Sequence, residues 1–442
     1  MRFSVKEISF FERDVRLRMP FRFGIVTLTE APQAFALARI ELENGKQSQG
    51  AAAELLAPKW FDKNLALSNE DNFEQLRASM RSARNAVLDA GMNTAFGHSR
   101  PTLGLVENYG PALLDRALLD ALCRALGISF YQAVKTNVAG IAFRDLDMQG
   151  FLSGLEPRSE IAARHTVGLV DPITSADNKK PVNDGLPETL EEVVARYGHR
   201  WFKLKVGGDV KADVERLRAI AAVLDRIAEP YHASLDGNEQ YEDVEGVIAL
   251  WNAIETEPRL KRLASSIVFV EQPIKRQKAL AANIAALSAR KPVIIDESDD
   301  SLDALPRARA LGYRGVSSKT CKGLYKSLLN AARCAAWGKD YFMTGEDLTI
   351  QPGLALQQDL ALVSILGLTH VERNGHHYVN GMAGLPAQEQ QDFGSAHPDL
   401  YERSHGAVRL RIHKGIIQMK TLDCPGYASR AMPDWQSMRR MA

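Results

Sequence analysis

Two lysines stand two residues apart in the apolar run Trp201-Phe202-Lys203-Leu204-Lys205-Val206, which Gly207-Gly208 closes. Such a run reads as a short buried strand ending in a turn, and because strand side chains repeat every two residues, Lys203 and Lys205 share one face. An ammonium group is almost never buried without a partner, so the pair needs carboxylates or a chemical task. Downstream, three apolar runs end in an acid: Ala233 to Asp236, Ile267 to Glu271 and Val293 to Asp296. A fourth, Tyr313 to Lys319, ends in a third lysine. Any one of these acids alone reads as a capped or salt-bridged strand end. Three at successive strand ends, between lysine-bearing strands and with no cysteine or clear histidine beside them, read as an oxygen-only metal site, which favours magnesium. A lysine whose pKa is lowered by burial and neighbouring positive charge can act as a general base. Lys205 is the candidate to face substrate, Lys203 to tune it, and Lys319 to exchange a proton from the opposite side. The alternative is that the lysines only neutralise the acids.

The elements that must position these residues alternate between strand and helix after about residue 160. Strand candidates are His165 to Val170, Trp201 to Val206, His232 to Asp236, Ile267 to Glu271, Val293 to Asp296, Gly315 to Lys319, Tyr341 to Thr344 and Leu368 to Glu372. Eight strands with helices between them predict a parallel β/α barrel of the TIM type, whose catalytic groups stand at the carboxyl ends of the strands. Before the barrel, Ser4 to Arg13, Ala34 to Glu43 and Ser48 to Leu55 carry strand signals, with Asn44-Gly45 as a hairpin turn. Met19 to Thr29 is too apolar for an idle loop and reads either as a flap over a ligand or as a loop docked on its own domain. Helical periodicity follows over Asn72 to Met80 and Pro111 to Leu126, with Gly127 as a C-cap. After the barrel, Gly406 to His413 and Ile416 to Met419 are expected to rejoin the first sheet. The division is an α+β capping domain over 1–158, a barrel over 159–385, and a segment over 386–442 that completes the cap. The polar stretch from Asp171 to Pro187 reads as an added loop.

Bulk properties narrow the partners. With 55 basic and 54 acidic residues among 442, the chain carries no general field for nucleic acid or anionic lipid. No apolar run reaches about 18 residues, and Met1 to Glu7 lacks the apolar core of a signal peptide. The four cysteines lie far apart in no zinc pattern, so reduced thiols and a cytoplasmic location are expected.

The motifs together resemble the enolase superfamily, in the branch of mandelate racemase and muconate lactonizing enzyme. They are the Ala117 to Gln132 segment, Lys203-x-Lys205, Asp236-Gly-Asn238, Glu271-Gln-Pro273, Asp296-Glu-Ser298 and Ser318-Lys-Thr-Cys-Lys-Gly323. The resemblance implies that Asp236, Glu271 and Asp296 hold Mg2+, that Lys205 and Lys319 are the acid/base pair, and that Asn238 lies near the metal. It also implies cap loops around Phe21 to Thr27 and Leu55 to Trp60 that contact a small carboxylate substrate, and a homo-oligomer. The implied reaction is removal of the proton next to a carboxylate through an enediolate. Reprotonation from the other side makes a racemase or epimerase of an amino acid derivative or hydroxy acid; loss of a β leaving group makes an acid-sugar dehydratase or, by ring opening, a cycloisomerase. A Schiff-base lyase using lysine as nucleophile, or a binding protein without turnover, are the alternatives outside this chemistry.

Further candidates near substrate are Glu297, Lys322, Glu346, Glu372, His376, Phe21 and Trp60. The eighth strand lacks the Asp-x-Asp signature of dipeptide epimerases. Glu346 and Glu372 suit an amine or hydroxyl, or a salt bridge to Arg373 or a neighbour. Lys322 suits either a supporting charge or the surface. The same choice, substrate or surface, stands for His376 beside His377.

Overall fold

In the computed structural model, which describes residues 1–441, strands β1 (Arg2–Phe23), β2 (Val26–Leu42) and β3 (Gln47–Leu55) form an antiparallel sheet in that order. Helices Asn69–Leu88 and Tyr109–Leu126 cover it. The helix at Tyr109–Leu126 lies directly on β3, and Gly50 makes that approach possible. A Cβ there would sit 2.1 Å from the backbone nitrogen of Ala121. A short strand, β4 (Asn93–Thr94), pairs with the start of β1.

The stretch from Met19 to Thr29 is the tip of the β1–β2 hairpin. Regular pairing breaks between Arg16 and Phe21, where Pro20 has no N–H to give the ladder. Residues 17–20 bulge outward there, and Leu17 bridges to Val379 beyond the last barrel strand. A bulge bends its strand, so the tip turns over the barrel mouth. It is held there by Arg18, which binds Asp184 at 2.6 Å and donates to the His377 carbonyl at 2.9 Å. The added loop after the first barrel strand thus has a definite contact: it docks the hairpin.

The barrel strands are β5 (Glu160–Val167), β6 (Trp201–Lys205), β7 (His232–Asp236), β8 (Ile267–Glu271), β9 (Val293–Ile295), β10 (Gly315–Ser318), β11 (Phe342–Gly345) and β12 (His370–Arg373). They pair in sequence order, all parallel, and β12 closes on β5. The expected eight-stranded parallel barrel is therefore present. Its first strand begins five residues earlier than the sequence suggested, at Glu160 rather than His165.

The tail differs from expectation in one respect. β13 (Tyr401–Ser404) and β14 (Ala407–Leu410) make their own hairpin, and β15 (Ile416–Gln418) runs antiparallel to the barrel strand β5 at Glu160 to Ala162. Pairing of β5 with β6 starts only at Arg164, so that earlier part of β5 would be an open edge, and β15 covers it. Among the described residues of the tail, only β16 (Arg439–Arg440) returns to the amino-terminal sheet, beside β1. Among the described residues no helix is long and apolar enough to cross a membrane, and Cys123, Cys321, Cys334 and Cys424 are buried free thiols.

Cap and barrel share buried polar contacts. Arg116 of the Tyr109–Leu126 helix binds Glu54 of β3 at 3.1 Å, and Glu54 in turn accepts from Thr320 just past β10 at 3.0 Å. Breaking one partner of a fully buried pair costs about 3–5 kcal/mol, so this seam fixes the cap on the barrel rather than letting it slide.

Candidate active site

The alternation of β5 and β6 decides which side chains enter the barrel. Arg164 and Thr166 point inward, where they meet Glu346 and Glu372, and Lys203 and Lys205 do the same on the next strand. Lys203 is surrounded by acid: Asp236 at 2.8 Å, Glu271 at 2.9 Å, Glu372 at 3.0 Å, and Glu346. Lys205 lies 2.6 Å from Asp236, its register neighbour on β7. Lys319 arrives from beyond β10 and binds Asp296 at 2.5 Å and Glu346 at 3.2 Å. The structure thus brings together all three lysines and all three strand-end acids named from the sequence.

Two features shape the acid rim. The Asp236-Gly237-Asn238 turn is tight because a Cβ at Gly237 would lie 2.6 Å from the Cα of Pro273, and Asn238 then adopts a left-handed φ of 39°. Its N–H donates to Asp236 at 2.9 Å. On the neighbouring strand Gln272, also left-handed, accepts from the backbone N–H groups of Asp296 at 2.8 Å and Ser298 at 3.0 Å. Gln272 therefore sets the spacing between the ends of β8 and β9, and with it that of Glu271 and Asp296.

Electrostatics divide the acids. Burial pushes the Glu271 carboxyl well above the usual carboxylate range, and the nearby Asp236 and Glu346 charges add to that push. For Asp296 burial acts the same way, but Lys319 and Lys322 overcome it and hold the group below its ordinary value. Glu346 is likewise kept low against burial by Lys203, Lys319 and Arg164. The lowered lysine pKa expected from burial is not what these contacts give. Burial does pull Lys203 and Lys319 down, yet the surrounding carboxylates prevail and hold both ammonium groups well above the usual lysine range.

Glu271, Asp296 and Glu346 each offer a carboxylate oxygen, all within 4.8 Å of one another, and form a site able to hold a divalent metal ion. The donors are all hard oxygens. Three buried oxygens nearby, Oε2 of Glu271, Oδ1 of Asn238 and Oε2 of Glu297, have no hydrogen-bond partner, which suits a hard cation rather than zinc or copper. Asp236, expected among the ligands, lies on the same rim and is contacted by both lysines of β6, at 2.8 and 2.6 Å.

The remaining candidates separate into groups. Phe21 and Trp60 line the cavity above the lysines, with the Lys205 ammonium 5.8 Å from the Phe21 ring centre and that of Lys319 4.9 Å from Trp60. Glu372 faces the cavity but is committed to Lys203 and Thr166 rather than Arg373. Lys322 is buried, not exposed, and binds Asp296 at 3.1 Å and the Ser317 carbonyl at 2.6 Å. Glu297 accepts from Asn238 at 3.3 Å. His376 and His377 are neither a surface pair nor lining of this cavity: His376 packs with His165 and His199 outside the barrel wall, because the turn Gly375–Tyr378 carries it there. Sequence reading missed Arg164, which lies just before the point where its strand was taken to begin, and it missed Gln272. Arg276 was missed as well; it pins the Trp60 segment by donating to the carbonyls of Trp60 and Phe61 at 2.8 and 2.9 Å.

Residues 185–428 match the family described as enolase C-terminal domain-like. No curated protein sequence matches the chain significantly. Among solved structures, the chain is similar to the dipeptide epimerase from Cytophaga hutchinsonii, complexed with Mg and the dipeptide D-Ala-L-Val. That likeness has a TM-score of 0.64 at 14% identity and covers 100% of this chain and 99% of the other. The muconate lactonizing enzyme from Pseudomonas fluorescens, complexed with muconolactone, gives 0.64 at 16% identity over 98% and 97%. The L-Ala-D/L-Glu epimerase from Bacillus subtilis gives 0.59 at 16% over 94% and 99%. At such identities these likenesses speak for the fold, while the family match spans more than half of the chain. With lysines and acids on the strand ends where that fold does its chemistry, this chain belongs to the enolase superfamily, in its mandelate racemase and muconate lactonizing enzyme division.

Proposed function

We propose that the protein is a Mg2+-dependent racemase or epimerase that removes the proton next to a carboxylate and returns it from the opposite face. The observation that carries this reading is the placement of Lys205 and Lys319 on opposing strand ends, separated by the acid cluster and each beneath an aromatic ring of the cap. One lysine takes the α-proton while the other, already charged, stands ready to deliver one. Bound at Glu271, Asp296 and Glu346, with Asp236 on the same rim, Mg2+ would supply positive charge against the developing enediolate. Carboxylates committed to a cation also stop supporting the lysine charges, which favours the neutral form that a base needs. Lys203, Lys322 and Arg164 hold the acids in place and balance their charge.

The cap side of the cavity is apolar, with Phe21, Phe23, Leu28 and Trp60, and Leu348 beyond β11 adds to it from the barrel. A carboxylate with an apolar body suits that wall better than an acid sugar, whose buried hydroxyls would be left without partners. This favours an amino acid derivative or a small hydroxy acid over the dehydratase substrate. The test is a library of amino acids, dipeptides, hydroxy acids and sugar acids incubated in heavy water with Mg2+ and read by mass. A gain of one deuterium with the skeleton unchanged supports the proposal. Release of a keto acid points instead to dehydration, and isomerisation to a lactone points to cycloisomerisation. Full activity in chelator, with substrate trapped on Lys205 or Lys319 by borohydride, would replace the proposal with Schiff-base chemistry.

A further inference from the structure

A second cluster lies outside the barrel, where alternation turns His165 away from the inward-facing Arg164 and Thr166. There His165 of β5 meets His199, which follows the Leu190–Tyr197 helix, and His376, in the turn after β12. The ring centres form a nearly equilateral triangle with sides of 5.3, 5.4 and 5.3 Å. Each ring offers a nitrogen, and the three nitrogens all lie within 4.8 Å of one another. His165 and His199 are 2% and 0% exposed. Nδ1 of His165, Nε2 of His199 and both ring nitrogens of His376 are buried without a hydrogen-bond partner.

Unpaired buried polar atoms cost about 1–3 kcal/mol each, so four in one place call for a partner. One histidine is already oriented for it. Nδ1 of His199 pairs with the Ala163 carbonyl at 2.9 Å, which puts the proton on that nitrogen and leaves Nε2 as a lone pair without a partner. This is the supporting bond that metal-ligating histidines ordinarily make. Nitrogens bound at about 2.05 Å in a tetrahedron are about 3.3 Å apart, so small rotations of the rings bring them onto one ion. A single bridging water has two protons to donate, enough for two lone pairs, whereas an ion takes one lone pair from each of the three rings.

We propose that His165, His199 and His376 form a second metal site, for a borderline divalent transition ion with zinc as the principal occupant. It is distinct in chemistry from the oxygen site inside the barrel, since imidazole donors without carboxylate select zinc over magnesium. The ion would join β5, the connection into β6 and the turn after β12, spanning the seam where the barrel closes. Its place is structural: it fixes the turn that follows Glu372 and whose His377 carbonyl receives Arg18.

The test uses full-length protein without a histidine tag, with Mg2+ in excess to fill the oxygen site. Titration with Co2+ as a zinc surrogate should produce the visible absorption of a four-coordinate, nitrogen-bound ion at one equivalent per chain, and Zn2+ should abolish that absorption by displacement. His376→Gln, the least buried of the three, should weaken Zn2+ binding by at least about 100-fold, more than is typical for loss of a supporting bond alone. Glu271→Gln should leave the Co2+ spectrum unchanged. The absence of a four-coordinate spectrum in the wild-type protein would overturn the proposal whatever the variants do, and so would a spectrum that survives His376→Gln or vanishes with Glu271→Gln.

Discussion

Lys205 and Lys319 occupy corresponding places on opposite strand ends, yet their surroundings differ. Lys205 has one acid, Asp236, and a roof supplied by Phe21 at the tip of a long hairpin. Lys319 has two acids, Asp296 and Glu346, and a roof supplied by Trp60. The supports of the two roofs differ as well. Arg18 ties the hairpin to Asp184, with the arginine 3% and the acid 19% exposed, whereas Arg276 ties the Trp60 segment to Glu239, with the arginine 18% and the acid 3% exposed. The roof of Lys319 is a segment pinned by Arg276, while that of Lys205 is the tip of a hairpin reached through a bulge, and the lysine beneath it has fewer carboxylates beside it.

The largest effect that would break this symmetry of roles comes from the lysines. Lys205→Ala and Lys319→Ala should each lower racemisation by about 10³-fold or more, at the upper end of what a positioned acid or base contributes, with thermal melting and far-UV circular dichroism reporting an intact fold. Next come the acids. Glu271→Gln should weaken Mg2+ binding, measured by calorimetry, by at least about 100-fold. Glu346→Gln should weaken it too, and should also destabilise the fold by about 3 kcal/mol by depriving Arg164 and Lys203 of a buried partner. Asp236→Asn distinguishes its two possible places. A loss of Mg2+ affinity comparable to that of Glu271→Gln would put it among the ligands, and a small loss would leave it as the partner of Lys205.

Smaller effects sharpen the contrast between the roofs. Arg276→Met should cost up to about 3 kcal/mol in denaturant unfolding, since it leaves the buried Glu239 with Lys63 as its remaining cationic partner. Asp184→Asn should cost no more than about 1 kcal/mol but raise KM more than it lowers kcat, because the hairpin closes less often over Lys205.

Acid gives the smallest effect. Burial raises Glu239, but Arg276 and Lys63 outweigh it and hold its pKa below the ordinary carboxylate value. Arg18 does the same for Asp184. A carboxylate lowered in the folded state contributes stability that is fully present above its unfolded pKa, about 4, and is lost as pH falls through the folded value. Melting temperature should therefore decline below about pH 4, and Glu239→Gln should flatten part of that decline.

Much of this arrangement was legible in the residues, because strand-end chemistry leaves a local signature. Lys203-x-Lys205, Asp236, Glu271, Asp296 and Lys319 each end an apolar run, and the barrel follows from their regular spacing. What was not legible depends on direction and distance. Arg164 was missed because the strand was begun at His165 rather than Glu160, which left this inward-facing side chain outside it. His376 looked like a loop residue, since nothing local tells that its turn carries it to His165 and His199 from more than 170 positions away. The placement of β15 beside β5 needed knowledge of an edge exposed only by the barrel's own register. The competition of Lys203 and Lys205 for Asp236 likewise appears only when adjacent strands are in register.

The most direct measurement of the central claim is stereospecific exchange. Each enantiomer of a turned-over carboxylate is placed in heavy water with Mg2+ and either Lys205→Ala or Lys319→Ala, and deuterium at the α-carbon is followed by proton NMR. Two lysines acting on opposite faces predict that each variant still exchanges one enantiomer and loses the other, in a complementary pattern. Loss of exchange for both enantiomers in only one variant, with the other behaving as wild type, would contradict the account.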